Sequence, residues 1–285
     1  MIIGINYSDS KFNRVQHLNT WSMYHKGKVD KVIEYGPDDL DPEFVEENKE
    51  ILTKPRGGGY WLWKPYIIKK TFDSLQAGDY LFYCDAGAVI LKPIQLLIDA
   101  MEKSDMNVMC FQLPFKERAY SKRDAFILLD CDSDKYTETP QRLDGYMIIK
   151  KTNNSNRPNN FVDIDKLLDN FLYFCKDIRI VSDLANVLGW PNYEGFVENR
   201  HDQTVWSLLT KKYGIVAFRD PSQWGKNEKL FPESTLKISE YPVVIDSVRR
   251  NDLDNWNDYC LFRKFHKIFV LRRICRKIRN RIFGV

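Results

Sequence analysis

The chain has 285 residues, of which 44% are apolar, 29% charged and 14% aromatic, and its formal net charge is +4. That length buries one large core or two small ones, and the composition is that of a globular chain, which excludes disordered and collagen-like classes. All 39 acidic residues lie at or before Asp258, whereas nine of the 43 lysines and arginines lie after it, so the body is mildly acidic and offers no basic face to a nucleic acid.

The opening "MIIGINYSDSKF" reads as a buried strand over Met1–Asn6 followed by a polar turn, and not as a secretory leader. A second strand is expected near Lys31–Tyr35, closed by Gly36-Pro37, and a helix around Pro42–Thr53. A glycine-rich loop, Arg56–Gly59, then leads into a helix in which Trp63, Ile67, Phe72 and Leu75 share a face and Pro65 sits in the first turn. Gly78-Asp79 closes that helix, and "YLFYC" (Tyr80–Cys84) reads as a fully buried strand. Further strands are predicted at Asn107–Leu113, at Gly145–Lys150 and over "IVAF". Helices are predicted over "NNFVDIDKLLDNFLYFCKD" and over "HDQTVWSLLTKKYG", the latter stopped by Gly214. Strands alternating with helices predict an α/β sheet covered on both faces. Lys150–Asn160 is the most loop-like interval and is too short to separate domains. No apolar run reaches the roughly 18 residues of a membrane span. The six cysteines (Cys84, Cys110, Cys131, Cys175, Cys260 and Cys275) show no zinc-like spacing and read as reduced core residues of a cytosolic protein.

Several stretches carry candidate chemistry. In an open α/β sheet ligands bind beyond the carboxyl ends of the strands, where Asp85 follows "YLFYC". A buried carboxylate there needs a cation, hydrogen bonds or the surface, and Ala86 and Gly87 leave room beside it. The plainer alternative is an aspartate that only ends the strand and caps a turn. In "RGGGYWLWKP" backbone amides suit a phosphate, with charge from Arg56 and Lys64. The alternative is a flexible loop beside core aromatics, since the spacing fits neither a Walker loop nor a dinucleotide fingerprint. "ENRHDQTVW" crowds Glu198, His201 and Asp202 at a helix start, where Asp202 or Gln203 would face a sugar hydroxyl or a metal, or where a carboxylate merely caps the helix. "QRLDGYMIIKK" is a small-residue turn entering a strand and could line a substrate. A literal Asp-x-Asp occurs at Asp130-Cys131-Asp132 and Asp132-Ser133-Asp134, but also at Asp39-Leu40-Asp41, Asp163-Ile164-Asp165 and Asp252-Leu253-Asp254, so it carries little information. The polar segment after Asp130 is expected to be a solvated acceptor-side loop.

Taken in chain order, "NYSDSKF", "RGGGYWLWKPYIIKKTFDSL", "GDYLFYCDAG" and "HDQTVWSLL" resemble bacterial GT-A type glycosyltransferases of the kind found in capsule and lipopolysaccharide gene clusters, over roughly Met1 to Phe218. The resemblance implies a GT-A (Rossmann-like) mixed sheet in which a nucleotide-binding half and an acceptor-binding half merge. It implies a hexosyltransferase that moves a sugar from a nucleotide-sugar donor, expected to be a UDP-sugar, to a hydroxyl of a glycan or lipid-linked glycan in surface polysaccharide synthesis. On this reading Asn6 and Tyr7 approach the nucleotide, Arg56, Lys64, Asp85, Ala86 and Gly87 surround the donor, and Asp202 is the catalytic carboxylate, with Glu198 second. The family holds a divalent metal with Asp-x-Asp at the end of the "YLFYC" strand. Here Asp85-Ala86-Gly87 keeps only the first aspartate. Mn²⁺ or Mg²⁺ would then rest on Asp85, diphosphate oxygens, waters and His201. Without a metal, Arg56, Lys64 and backbone donors would neutralise the leaving diphosphate. The competing classes are a nucleotidyltransferase, for which a glycine-rich loop after the first strand is missing, and a non-catalytic carbohydrate-binding protein that stacks sugars on its seven tryptophans.

The predicted organisation is a GT-A domain over residues 1–258 and a basic amphipathic tail over 259–285. Leu271, Ile274, Cys275, Ile278 and Ile282 share one helical face, with Arg272, Arg273, Arg276, Lys277 and Arg279 largely opposite. This is the pattern of an interfacial helix on an anionic leaflet, which predicts a cytoplasmic protein peripheral to the inner face of the cell membrane. The alternatives are a helix packed on the body's own acidic surface or one that binds a partner.

Overall fold

The computed structural model describes residues 1–153 and 155–266. The chain runs β1 (Ile2–Tyr7), α1 (Asn13–His25), β2 (Lys31–Tyr35), α2 (Trp63–Asp73), β3 (Tyr80–Cys84), β4 (Ala88–Ile90), α3 (Gln95–Lys103), β5 (Val108–Lys116), β6 (Pro140–Lys150), α4 (Ile164–Cys175), α5 (His201–Lys212), β7 (Ala217–Arg219) and β8 (Ile245–Ser247), with shorter helical turns between. Six strands form one mixed sheet in the order β2-β1-β3-β6-β5-β7, and β4 pairs with β8 in a separate antiparallel ribbon. β1, β2 and β3 are parallel, β6 is antiparallel to both β3 and β5, and β7 is parallel to β5. This is the α/β sheet with helices on both faces that the alternation of elements predicts, and its mixed strand directions are those that the resemblance implies.

Side-chain alternation along β1 decides what lies on each face. The even residues face α1: Asn6 hydrogen-bonds Asn19 and Thr20, and a Cβ on Gly4 would sit 2.8 Å from Met23 Sδ. A side chain there would have to push the Met23 thioether aside. The odd residues face α2, where Tyr7 stacks on Trp63 with centroids 3.8 Å apart. α2 and α5 both pack on α4, and Phe171 of α4 meets Trp206 of α5 at 5.3 Å. On the other side α1 ties the sheet to the small ribbon: Asn19 donates to the Ala88 carbonyl at 2.7 Å and Ser22 Oγ accepts from the Ile90 amide.

Two elements depart from expectation for local reasons. The helix predicted over Pro42–Thr53 breaks into Pro42–Glu47 and Lys49–Leu52 at Asn48, whose side-chain amide bonds the Phe44 carbonyl. β6 begins at Pro140 instead of Gly145, because its polar first half pairs with β5 through Arg142 and Leu143.

A second, smaller core joins Val15, Leu18, Val89, Leu253 and Tyr259. Residues 256–266 are helical and pack on it, with Tyr259 5% exposed. The boundary expected between Asp258 and Tyr259 falls inside this helix. The amphipathic face predicted from Leu271 to Ile282, and Cys275, lie outside the described residues. Cys84, Cys110, Cys131 and Cys175 are buried free thiols, while Cys260 is exposed on the outer side of the 256–266 helix. Among the described residues no helix is long and apolar enough to cross a membrane.

Candidate active site

β1 and β3 run parallel and end level, with Ile5 opposite Tyr83. β6 crosses β3 in the opposite direction and brings Asp144-Gly145 beside Asp85, whose amide donates to the Gly145 carbonyl at 2.8 Å. The chain passes from β1 to β2 on one side and then to β3 on the other, so strand order reverses between β1 and β3, which is where crevices open in α/β sheets. A cavity of about 420 Å³ lies here. Its walls are the end of β1 with the following turn (Tyr7, Ser8, Asp9, Lys11, Phe12), the glycine turn (Gly57, Gly58, Trp61), the strand end Asp85-Ala86-Gly87, Gly145 and Tyr146 of β6, and Ser247 and Arg249 after β8.

Beneath the cavity Lys64 is wholly enclosed by acids. Its Nζ lies 2.9 Å from Asp144 Oδ2, 2.7 Å from Asp202 Oδ2 and 3.7 Å from Asp85 Oδ1. The contact with Asp144 is a hydrogen bond. The closer one to Asp202 is an ion pair out of hydrogen-bond alignment, and Oδ2 of Asp202 accepts no other donor among the described residues. Burial works against the Lys64 charge, but Asp144, Asp202 and Asp85 outweigh it and hold its pKa well above that of free lysine. Asp202 moves the same way for opposite reasons. Burial first, then the Asp144 charge, push it well above the carboxylate range, and Lys64 only partly opposes them. Three acids thus share one ammonium, and Asp202 is the one whose charge burial disfavours most strongly.

Asp85 differs because it meets the cavity. Enclosure by protein raises its pKa, Lys64 opposes the rise and Asp144 adds to it. With 49% of its side chain open, water screens much of that enclosure, and its rise is smaller than that of Asp202. The Tyr83 hydroxyl donates to Asp85 Oδ1 at 2.6 Å and fixes the carboxylate's orientation. Gly145 leaves that carboxylate its room, since a Cβ there would lie 3.1 Å from Asp85 Oδ2 and press it aside.

The glycine segment is a left-handed turn. Gly57, Gly58, Gly59, Tyr60 and Trp61 all have positive φ, from 50° to 96°. For Tyr60 and Trp61 this conformation costs about 1–2 kcal/mol each. Packing offsets it: His201 stacks on both rings, at 5.3 and 5.0 Å, and Trp63 Nε1 donates to the Gly57 carbonyl at 2.9 Å. The amides of Gly59, Tyr60, Trp61 and Leu62 donate to backbone carbonyls, whereas those of Gly57 and Gly58, on the cavity wall, have no protein acceptor among the described residues. Successive amides in such a turn form an anion-binding concavity.

The residues predicted from sequence divide accordingly. Tyr7, Asp85, Ala86 and Gly87 line the cavity. Lys64 and Asp202 sit directly beneath it and touch each other. Asn6 lies off the cavity because alternation turns it toward α1. Arg56 stands at the rim, 3.1 Å from Asp183, with Glu198 at 3.9 Å, and it donates to His201 Nε2 at 2.9 Å. His201 Nδ1 donates to the Val181 carbonyl at 2.6 Å, and burial lowers the ring's pKa, so the imidazole is neutral with both nitrogens engaged. It braces the glycine turn and is not brought to Asp85. Among the described residues no three His, Cys, Asp or Glu converge as a metal cage. The literal Asp-x-Asp lies off the cavity, where Asp132 accepts from Arg123 and from Tyr193. Asp144 has one signal in the sequence, an Asp-Gly pair just ahead of the apolar second half of β6. Lys11 stood unremarked in "NYSDSKF", and Arg249 carried no local signal.

No family model and no curated protein matches the chain. Among solved structures it is similar to the galactosyltransferase LgtC in complex with donor and acceptor sugar analogs, at 11% identity and a TM-score of 0.49, covering 92% of this chain and 94% of that one. It is similar to mouse xyloside xylosyltransferase 1 at 8% identity and TM-score 0.46, covering 87% and 97%. A third is the glycosyltransferase GlyE of Streptococcus pneumoniae TIGR4, at 12% and 0.40, covering 88% and 55%. These three are likenesses of chain path alone.

Proposed function

We propose that the protein is a GT-A type glycosyltransferase that moves a sugar from a nucleotide-diphosphate sugar to a hydroxyl of a glycan or lipid-linked glycan acceptor. The observation that carries this reading is the cavity's composition: two unpaired amides in a left-handed turn, Lys11 and Arg249 line the same cavity as Asp85, whose carboxylate Tyr83 holds in place. Unpaired amides and cations suit a diphosphate, and a fixed carboxylate among aromatic walls suits a sugar. The sequence resemblance supports the same reading.

Donor cleavage needs charge stabilised on the leaving diphosphate, and the Gly57 and Gly58 amides with Arg249 and Lys11 supply donors for it. Lys64, kept charged by Asp144 and Asp202, holds Asp85 from beneath, so Asp202 acts through Lys64 and not on substrate. Glu198, half-exposed beside Arg56, is the carboxylate of the pair that solvent and an acceptor hydroxyl can reach. A divalent cation fits only as a shared ion. Asp85, open to the cavity, would hold Mg²⁺ or Mn²⁺ together with the donor's own phosphate oxygens, and the ion would add charge neutralisation at the diphosphate. The basic tail would bring the protein to an anionic leaflet that carries a lipid-linked acceptor.

The test is a thermal-stability screen of nucleotide-sugars with and without Mn²⁺, followed by product analysis. A ligand at 100 times its Kd stabilises the fold by about 2.7 kcal/mol, so a hit requires no acceptor. Release of nucleoside diphosphate supports glycosyl transfer, release of pyrophosphate points to nucleotidyl transfer, and binding without turnover at any acceptor concentration leaves a carbohydrate-binding protein.

A further inference from the structure

The wall that faces Asp85 is built by a segment too short to hold itself. β8 has three residues and, among the described residues, pairs only with the three of β4, and a ribbon of that size is marginal on its own. Yet the segment is well placed. Ser247 exchanges hydrogen bonds of 2.9 Å with the Gln223 side chain through both its amide and its carbonyl. The Arg249 amide donates to the Gly87 carbonyl at 2.9 Å, with φ of 53°, a conformation arginine adopts only where its surroundings impose it.

Between Ile245 and Ser247 stands Asp246, 1% exposed, opposite Val89. A carboxylate that deep needs partners, and both come from the 256–266 helix: Tyr259 Oη donates at 2.7 Å, and Arg263 Nε lies 3.1 Å away. Tyr259 is itself buried in the small core of Val15, Leu18, Val89 and Leu253.

We propose that Asp246 is a positioning residue for the cavity: gripped by Tyr259 and Arg263, it fixes residues 245–249 so that Ser247 and Arg249 form the wall opposite the glycine turn. The helix after residue 255 is thereby part of the binding machinery and not only the base of a tail. The inference rests on reading the cavity as a diphosphate site and names the element that sets it.

The experiment is calorimetric titration of UDP, in Mg²⁺ buffer, into the full-length chain and four variants. Tyr259→Phe should weaken UDP about tenfold, the equivalent of one lost charge-assisted hydrogen bond. Arg249→Ala should weaken it at least as much, and the double variant no further, because Tyr259 acts through Arg249. Val15→Ala, which thins the same small core from the α1 side, should lower Tm and leave UDP affinity unchanged. Should Tyr259→Phe fail to fold, Arg263→Gln, at a site 31% exposed, carries the same expectation. Wild-type affinity in the grip variants, or additive losses in the double, overturns the inference while leaving the diphosphate site standing. No UDP binding by the unaltered chain overturns both.

Discussion

Lys64→Met removes one buried ammonium and leaves most of the side-chain volume in place. The ammonium is 2.9 Å from Asp144 and 2.7 Å from Asp202, each of those carboxylates 6% exposed or less. Deleting one partner of a buried pair costs about 3–5 kcal/mol. Burial raises the pKa of Asp202, so its carboxyl can take up a proton more readily than a free one and soften the loss; the lower part of that range is expected, a fall in Tm of roughly 6–16 °C for a chain of this size. The pH dependence is the sharper signature. The folded pKa of Asp202 lies above its unfolded value of 3.8. The native state therefore holds more protons than the unfolded state above that pH, and stability declines as pH rises through the folded pKa. Lys64 opposes this shift in the wild type, and in the variant nothing does. The deficit of Lys64→Met should accordingly be small near pH 5 and largest near pH 8. Urea unfolding followed by circular dichroism at both pH values, with linear extrapolation, measures it. Adding Asp144→Asn should recover stability by removing one stranded charge. A deficit equal at pH 5 and pH 8, or no deficit, would refute the view that Lys64 is the counter-ion of this acid cluster.

Four further outcomes are expected. Asp85→Ala should cut turnover by about 10²–10³, the effect of deleting one fixed electrostatic group, with stability changed little because the side chain is half open; wild-type turnover would place the donor site elsewhere. Asp202→Asn, close in shape to the neutral acid, should spare the fold and donor KM but lower kcat through a shifted Lys64; activity that falls only in step with stability would leave it a purely structural residue. Gly145→Ala introduces a methyl 3.1 Å from Asp85 Oδ2 at an unstrained backbone position, so kcat/KM should fall with Tm nearly kept, and unchanged kinetics would show that the carboxylate's placement is not critical. The full-length chain should co-sediment with anionic liposomes at low salt and be released as salt rises. The truncation for that test belongs after His266, since Tyr259 and Arg263 serve the body, and equal sedimentation of the shortened chain would count against the tail.

The sequence by itself determined the features that are local. An apolar run ending in Asp85-Ala86-Gly87, glycines at Gly57–Gly59 ahead of a proline-started helix, and the alternation of strands with helices each follow from the intrinsic preferences of a few adjacent residues, and all three appear where expected. What adjacent residues cannot encode is partnership across the chain. Lys64 finds Asp144 eighty positions away only once β6 lies antiparallel on β3. Asn6 and Tyr7 are neighbours with the same candidate role, and the period-2 alternation of β1 sends one to α1 and the other to the cavity. Arg249 reaches the wall through a three-residue ribbon and a buried aspartate held from a later helix. Strand register and the desolvation of charge are properties of the assembled core, so the tertiary structure alone decided which acids the lysine neutralises and which one is left facing the cavity.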